Sequence, residues 1–285
     1  MASVSEIGLA AVFTQAALFG LYTLTLLHCL RWLLYQDAGW KLRDRTRWLM
    51  LVTTLILFAF AVVDLAISIH MSLLILAGNT EDLFYFQELN IVNTIIENST
   101  YLLTDAVLVY RCWVVHSNSW RIISPPIILW LSCLTAFILI LFYEFNDFPN
   151  SPTARWAEQS KFHTDVAFYV CHIANNIYTT SAIVYRILRV VNNTAGGSRR
   201  LYKTGRIIAE SGILYVASSL LLLVAYIGAS NNNPSFVLVA PIFDAVNYST
   251  SMISFNLVII RVNQQRAEEE ADTLLSSGLS KETPC

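Results

Sequence analysis

The chain has 285 residues, of which 55% are hydrophobic and 13% charged, and its mean hydropathy is +0.54. That balance excludes a soluble globular domain and points to an all-α, polytopic membrane protein. The formal net charge of −2, without a basic tract interleaved with aromatics, excludes a nucleic-acid partner and leaves the lipid bilayer as the first expected one.

A bilayer crossing takes about 20 apolar residues. Seven runs supply them, over 9–34, 48–77, 88–116, 122–143, 165–191, 207–229 and 236–260. The prediction is a seven-transmembrane helix bundle within 1–262, followed by a cytoplasmic tail over 263–285. The first run follows no basic residue and is too long for a cleaved signal, so it is expected to act as its own anchor. Gln15 and His28 are its main polar residues, which suggests a peripheral helix.

The second run carries Asp64 in mid-span, with Thr54 and Ser68 on the same face and His70 nearer the outer end. On the third, a period of 3.6 residues lines up Asn90, Asn93, Thr94, Glu97, Tyr101, Thr104 and Asp105 along one stripe. Ile91, Ile95, Leu102, Ala106 and Val109 lie opposite, as a lipid-facing back would require. Because an ionised carboxylate at the bilayer centre costs about 3 kcal/mol even on lenient scales, the stripe must turn inward. This is the expected central helix.

The fourth run is plain apart from Pro125 and Pro126. The connection over 144–164, with Pro149, Pro152 and Trp156, is expected either to cover the outer mouth or to be a solvated link. His172, Asn175, Asn176 and Thr179 share a stripe on the fifth run, and a polar basic loop is expected over 192–205. The sixth contributes Glu210 and Ser218; the seventh contributes Asp244, Asn247, Ser251 and Ser254. Beyond it, Arg266 to Asp272 can extend the last helix, with disorder expected after Ser276.

Orientation follows from the basic residues. Of the 18 Lys and Arg residues, all but Arg155 and Lys161 fall in the first, third and fifth connections and the tail, with the residues bordering them. The carboxy terminus is therefore expected in the cytoplasm and the amino terminus outside, in the plasma membrane or an endomembrane. The five cysteines show no metal-ligand spacing and no pair in an outer loop, so neither a metal site nor a disulfide is expected.

Five acids face the expected interior, while no Lys or Arg lies in the middle of a span. Arg111, Arg186 and Arg206 are placed to reach Asp105 or Glu210, but Asp64, Glu97 and Asp244 have no identifiable basic partner. Unpaired at that depth, a carboxyl is stable as the neutral acid or beside a cation or amine. Singly, each such residue reads as helix-to-helix glue. As a set they read as a binding centre.

The plan is similar to that of G-protein-coupled receptors, which often hold a sodium-binding aspartate where Asp64 stands and an arginine motif where Tyr110-Arg111 ends the third helix. It departs from them in having no acid before Arg111, no N-P-x-x-Y sequence on the seventh helix and no cysteine at the outer end of the third. Thr104-Asp105-Ala-Val-Leu-Val-Tyr110-Arg111-Cys112-Trp113, Glu210-Ser211-Gly212-Ile-Leu-Tyr215 and the exit from Asn256 to Arg261 more closely resemble a group of seven-span proteins of mushroom-forming fungi. That resemblance implies a fold and a receptor-like topology, and no ligand.

Every lysine (Lys41, Lys161, Lys203 and Lys281) lies outside the spans, which excludes a retinal Schiff base. No H-x-x-x-H pair supports a seven-span zinc hydrolase. The leading expectation is a receptor-like protein without a cofactor, binding a small ligand through Glu97, Asp244, His172, Asn176, Asp64 and Asn247. Asp105, Arg111, Glu210 and Tyr215 would be structural or would couple the site to a cytoplasmic signalling partner. The alternatives are a terpene-cyclase-like enzyme using a buried acid on a lipid-soluble substrate, and a proton or solute carrier.

Overall fold

A computed structural model describes residues 4–35, 48–77, 83–116, 119–146, 154–193, 199–231 and 233–279. Among them are seven helices: α1 (Val4–Leu34), α2 (Trp48–Leu76), α3 (Leu83–Val115), α4 (Trp120–Asn146), α5 (Ala154–Asn193), α6 (Arg199–Ser230) and α7 (Pro234–Leu279). Lys41, Arg43, Arg45 and Arg47, on which much of the orientation reading rests, lie outside the described residues, as do Pro149, Pro152 and Lys281.

Several elements outrun their predicted spans. Helix α5 begins at Ala154, so most of the connection expected over 144–164 is helix. Nothing after Pro152 interrupts the winding. Likewise α6 begins at Arg199, inside the basic loop expected over 192–205. Helix α7 continues to Leu279, past the point where disorder was expected.

The helices close a ring in chain order, with α7 returning to α1, and α3 also touches α5 and α7. The middle of α3 is therefore enclosed on nearly every side. Leu102, expected on a lipid-facing back, is buried in a core cluster with Tyr22, Ala61, Phe168, Tyr248 and Met252, and its carbonyl accepts a hydrogen bond from Trp130 Nε1 of α4 at 3.0 Å. Helix α1 is likewise more than peripheral: its Tyr22, Leu26, Cys29 and Leu33 are buried.

Pro125 and Pro126 lie inside α4 without ending it. Each removes a donor four residues on from a carbonyl. Ser124 Oγ replaces one toward Arg121 O at 3.4 Å, and Tyr178 Oη of α5 replaces the other toward Ile122 O at 2.9 Å.

The outside of the bundle is apolar, with Leu24, Leu55, Ile128, Ile138, Leu214 and Val224 exposed. The inside is polar, with Asp64, Asp105, His172, Asn175, Asn247 and Asn256 at 1% exposure or less. This inverts the soluble pattern. Helices α1, α2, α4, α6 and α7 are long and apolar enough to cross a membrane. The protein is membrane-embedded.

Candidate functional site

Two polar layers occupy the interior. The first is a cavity of about 190 Å³ between α1, α2, α3 and α7, rather than among the second, third, fifth, sixth and seventh helices as expected. Asp64, Glu97 and Asp244 line it together with Gln15, Asn93 and Tyr248, and Gly8 and Ser72 form the part nearest the helix ends. From Gly8 to Gln15 is seven residues, so the acids lie about 10 Å farther into the bundle than that rim.

The acids are only partly supplied with donors. Gln15 Nε2 donates to Asp64 Oδ2 at 2.6 Å, and Asn93 Nδ2 to Glu97 Oε1 at 2.7 Å, one helical turn away. Asp64 Oδ1 and Asp244 Oδ1 are buried without a hydrogen-bond partner. No lysine or arginine lines the cavity. Three carboxyl groups around a small void, two of them with an oxygen unspent, make a receptor for positive charge or for donated protons.

The second layer lies deeper and is closed. His172, 1% exposed, joins three helices: Nδ1 meets Asp105 Oδ2 of α3 at 2.7 Å, and Nε2 meets the Tyr215 hydroxyl of α6. A carboxylate oxygen can only accept, so Nδ1 donates to Asp105, and Nε2 shares a hydrogen bond with the tyrosine hydroxyl. The imidazole stacks on Phe168 at 6.3 Å and lies 5.1 Å from the Tyr101 ring.

Alongside it, Asn247 Nδ2 of α7 donates to Tyr101 Oη at 3.0 Å. Its Oδ1 accepts from Ser219 Oγ at 2.8 Å, with Ser218 Oγ at 3.1 Å. The layers touch through Tyr248, which lines the cavity, packs edge-on to Tyr101 at 6.2 Å and places its hydroxyl 3.4 Å from Thr100 Oγ1.

The six residues expected to bind ligand thus divide. Asp64, Glu97 and Asp244 come together at the cavity, whereas His172 and Asn247 belong to the closed layer. Asn176 stands apart, accepting from Thr180 Oγ1 at 3.2 Å. Of the expected coupling residues, Asp105 and Tyr215 meet on His172. Glu210 pairs with Arg206 on the surface at 2.8 Å. Arg111 does not reach Asp105, whose partner is the imidazole; it is buried and directs Nη2 toward Met50 Sδ at 3.5 Å.

Gln15 and Asn93 were not singled out as site residues from sequence, although both could have been found. One is the sole mid-span amide of α1, and the other precedes Glu97 by one turn. Tyr248 carries no such signal, since an aromatic at helical spacing reads as core. Among the described residues no three His, Cys, Asp or Glu side chains are grouped to hold a metal ion. No protein-family model, curated protein or solved structure matches the chain.

Proposed function

We propose that all seven helices cross the membrane with the amino-terminal end of α1 outside, and that the acid-lined cavity is the ligand site of a receptor-like protein. Its ligand is a small organic cation, of the protonated-amine class. The observation that carries this reading is the pair of unpartnered carboxylate oxygens, on Asp64 and Asp244, facing Glu97 around a void with no basic side chain. An ammonium group brings up to three donors and a charge, which answers both deficits at once. The small volume selects against lipids and peptides.

Occupancy would be passed inward by Tyr248 and Tyr101. A ligand that repositions Asp244 moves α7, which holds Asn247, and through it the hydrogen bonds to α3 and α6. The partner would then be met at the ends of α3, α5 and α6, where Arg111, Arg186 and Arg206 are concentrated.

The test is thermal unfolding of the full chain in detergent with n-butylamine, using n-butanol as the uncharged control of similar size. A ligand that binds only the native state stabilises it by RT ln(1 + c/Kd) at free concentration c, and so raises the midpoint as c rises past Kd. The amine is expected to raise it and the alcohol not, and Asp244→Asn is expected to abolish the difference. Equal effects of amine and alcohol, or a full amine response in Asp244→Asn, would overturn the proposal.

A further inference from the structure

On the side of the bundle away from the acid cavity, α4 and α5, with His116 at the end of α3, line a groove of about 940 Å³. One face of α5 forms its length: Ala174, Tyr178, Ser181, Tyr185 and Arg189, spaced three or four residues apart, with Ile177 beside them. From Ala174 to Arg189 is 15 residues, or about 22 Å along the helix. The groove therefore runs from mid-bundle almost to the helix end.

Its chemistry changes along that length. Toward mid-bundle it is walled by Leu129, Ala174 and Ile177; toward the other end it gathers His116, Arg186 and Arg189, with Ser181 between. Among the described residues no carboxylate forms an ion pair with Arg186 or Arg189.

We infer that this groove binds an anionic phospholipid, the phosphate held by Arg186 and Arg189 and an acyl chain laid along Ala174 and Ile177. An uncharged lipid would leave two guanidinium groups without a counter-charge. A free anion would leave the apolar part of the groove unused, and an acidic peptide would have to follow that wall away from water. An amphiphile with one anionic end matches both halves. The inference uses only the membrane placement of the bundle and is independent of what fills the acid cavity.

The experiment titrates the detergent-solubilised full chain with dioctanoyl phosphatidylserine, dioctanoyl phosphatidylcholine and inorganic phosphate, and follows intrinsic tryptophan fluorescence. Phosphatidylserine is expected to bind in preference to both. With each basic residue near the surface contributing modestly, Arg186→Gln with Arg189→Gln is expected to weaken phosphatidylserine about thirtyfold and to leave phosphatidylcholine unchanged. Ala174→Trp, which fills the apolar end, is expected to weaken it as well.

Equal binding of the two lipids would overturn the inference. So would phosphate binding as tightly as phosphatidylserine, which would mark a free-anion site, or an unchanged affinity in the arginine variant. The comparison of the three probes on the native sequence decides the matter even if a variant fails to fold.

Discussion

At the scale of single residues, His172 is the side chain with the most to lose. Its two nitrogens are committed to Asp105 and Tyr215 and it is almost fully buried, so its chemistry is that of a clamp between α3, α5 and α6. Hydrogen bonds between membrane helices average only about 0.6 kcal/mol, because the unfolded helices find other partners in the bilayer. A bond with one ionised partner is stronger, about 1.5–3 kcal/mol in proteins generally. Tyr215→Phe is therefore expected to cost about 1 kcal/mol and Asp105→Asn more. Because both act on one imidazole, their effects in a double-mutant cycle of unfolding in detergent should be non-additive by at least about 0.5 kcal/mol. Strict additivity would mean that the imidazole does not couple them.

The stripe on α3 was legible at this scale because it depends only on the helical period. Which acid meets which donor was not. Periodicity gives the face of a helix but neither its rotation against a neighbour nor its depth, and Gln15 and His172 found their partners through those two variables.

At the scale of elements, α5 and α6 show why the second resemblance motif contains a glycine. A Cβ added at Gly212 would lie 2.6 Å from Thr180 Cγ2 and 3.1 Å from Thr180 Oγ1. The two helices approach through the missing side chain, as small residues allow in membranes. Since Tyr215 is less than one turn farther along α6, the same close approach sets the distance from Tyr215 to His172. Gly212→Ala is expected to destabilise the bundle by about 1–3 kcal/mol through overpacking. Thr180→Ala in the same chain should restore most of that, because it removes both offending atoms. Failure of the second substitution to rescue the first would place the cost elsewhere. The motif was visible in the sequence, but its mechanical reason was not, since the contact lies on another helix. Helix ends were misplaced where a polar helix simply continues, as at Ala154 and at Arg199.

At the scale of the whole molecule, apolar composition alone finds five crossings among the described residues, because α3, with Asn90, Asn93, Glu97 and Asp105, and α5, with His172, Asn175 and Asn176, are more polar than the rest. Reading their polar residues as one stripe rather than as a break is what raises the expectation to seven. The ring of helices is consistent with the seven crossings proposed above: α3 packs on α2, α4, α5 and α7, and α5 on α3, α4 and α6.

Direction is a separate matter and rests on basic residues that lie mostly in the connections. If the amino terminus is outside, an N-glycosylation sequon fused ahead of Met1 through a flexible linker, expressed in a eukaryotic host, will be modified, while the Asn192 sequon will not. The reverse orientation predicts the opposite pair. An unmodified Asn192 is informative only beside a modified fused sequon, because an acceptor so close to a helix end can fail for lack of room. The charge bias makes the first pair the expected result. The same result would put Gly8, Ser72 and the acid cavity on the side from which a water-borne amine arrives, and Arg186 and Arg189 in the leaflet where anionic lipids concentrate. A reversed pair would bring both proposed ligands to the wrong face, so this one measurement bears on the two sites together.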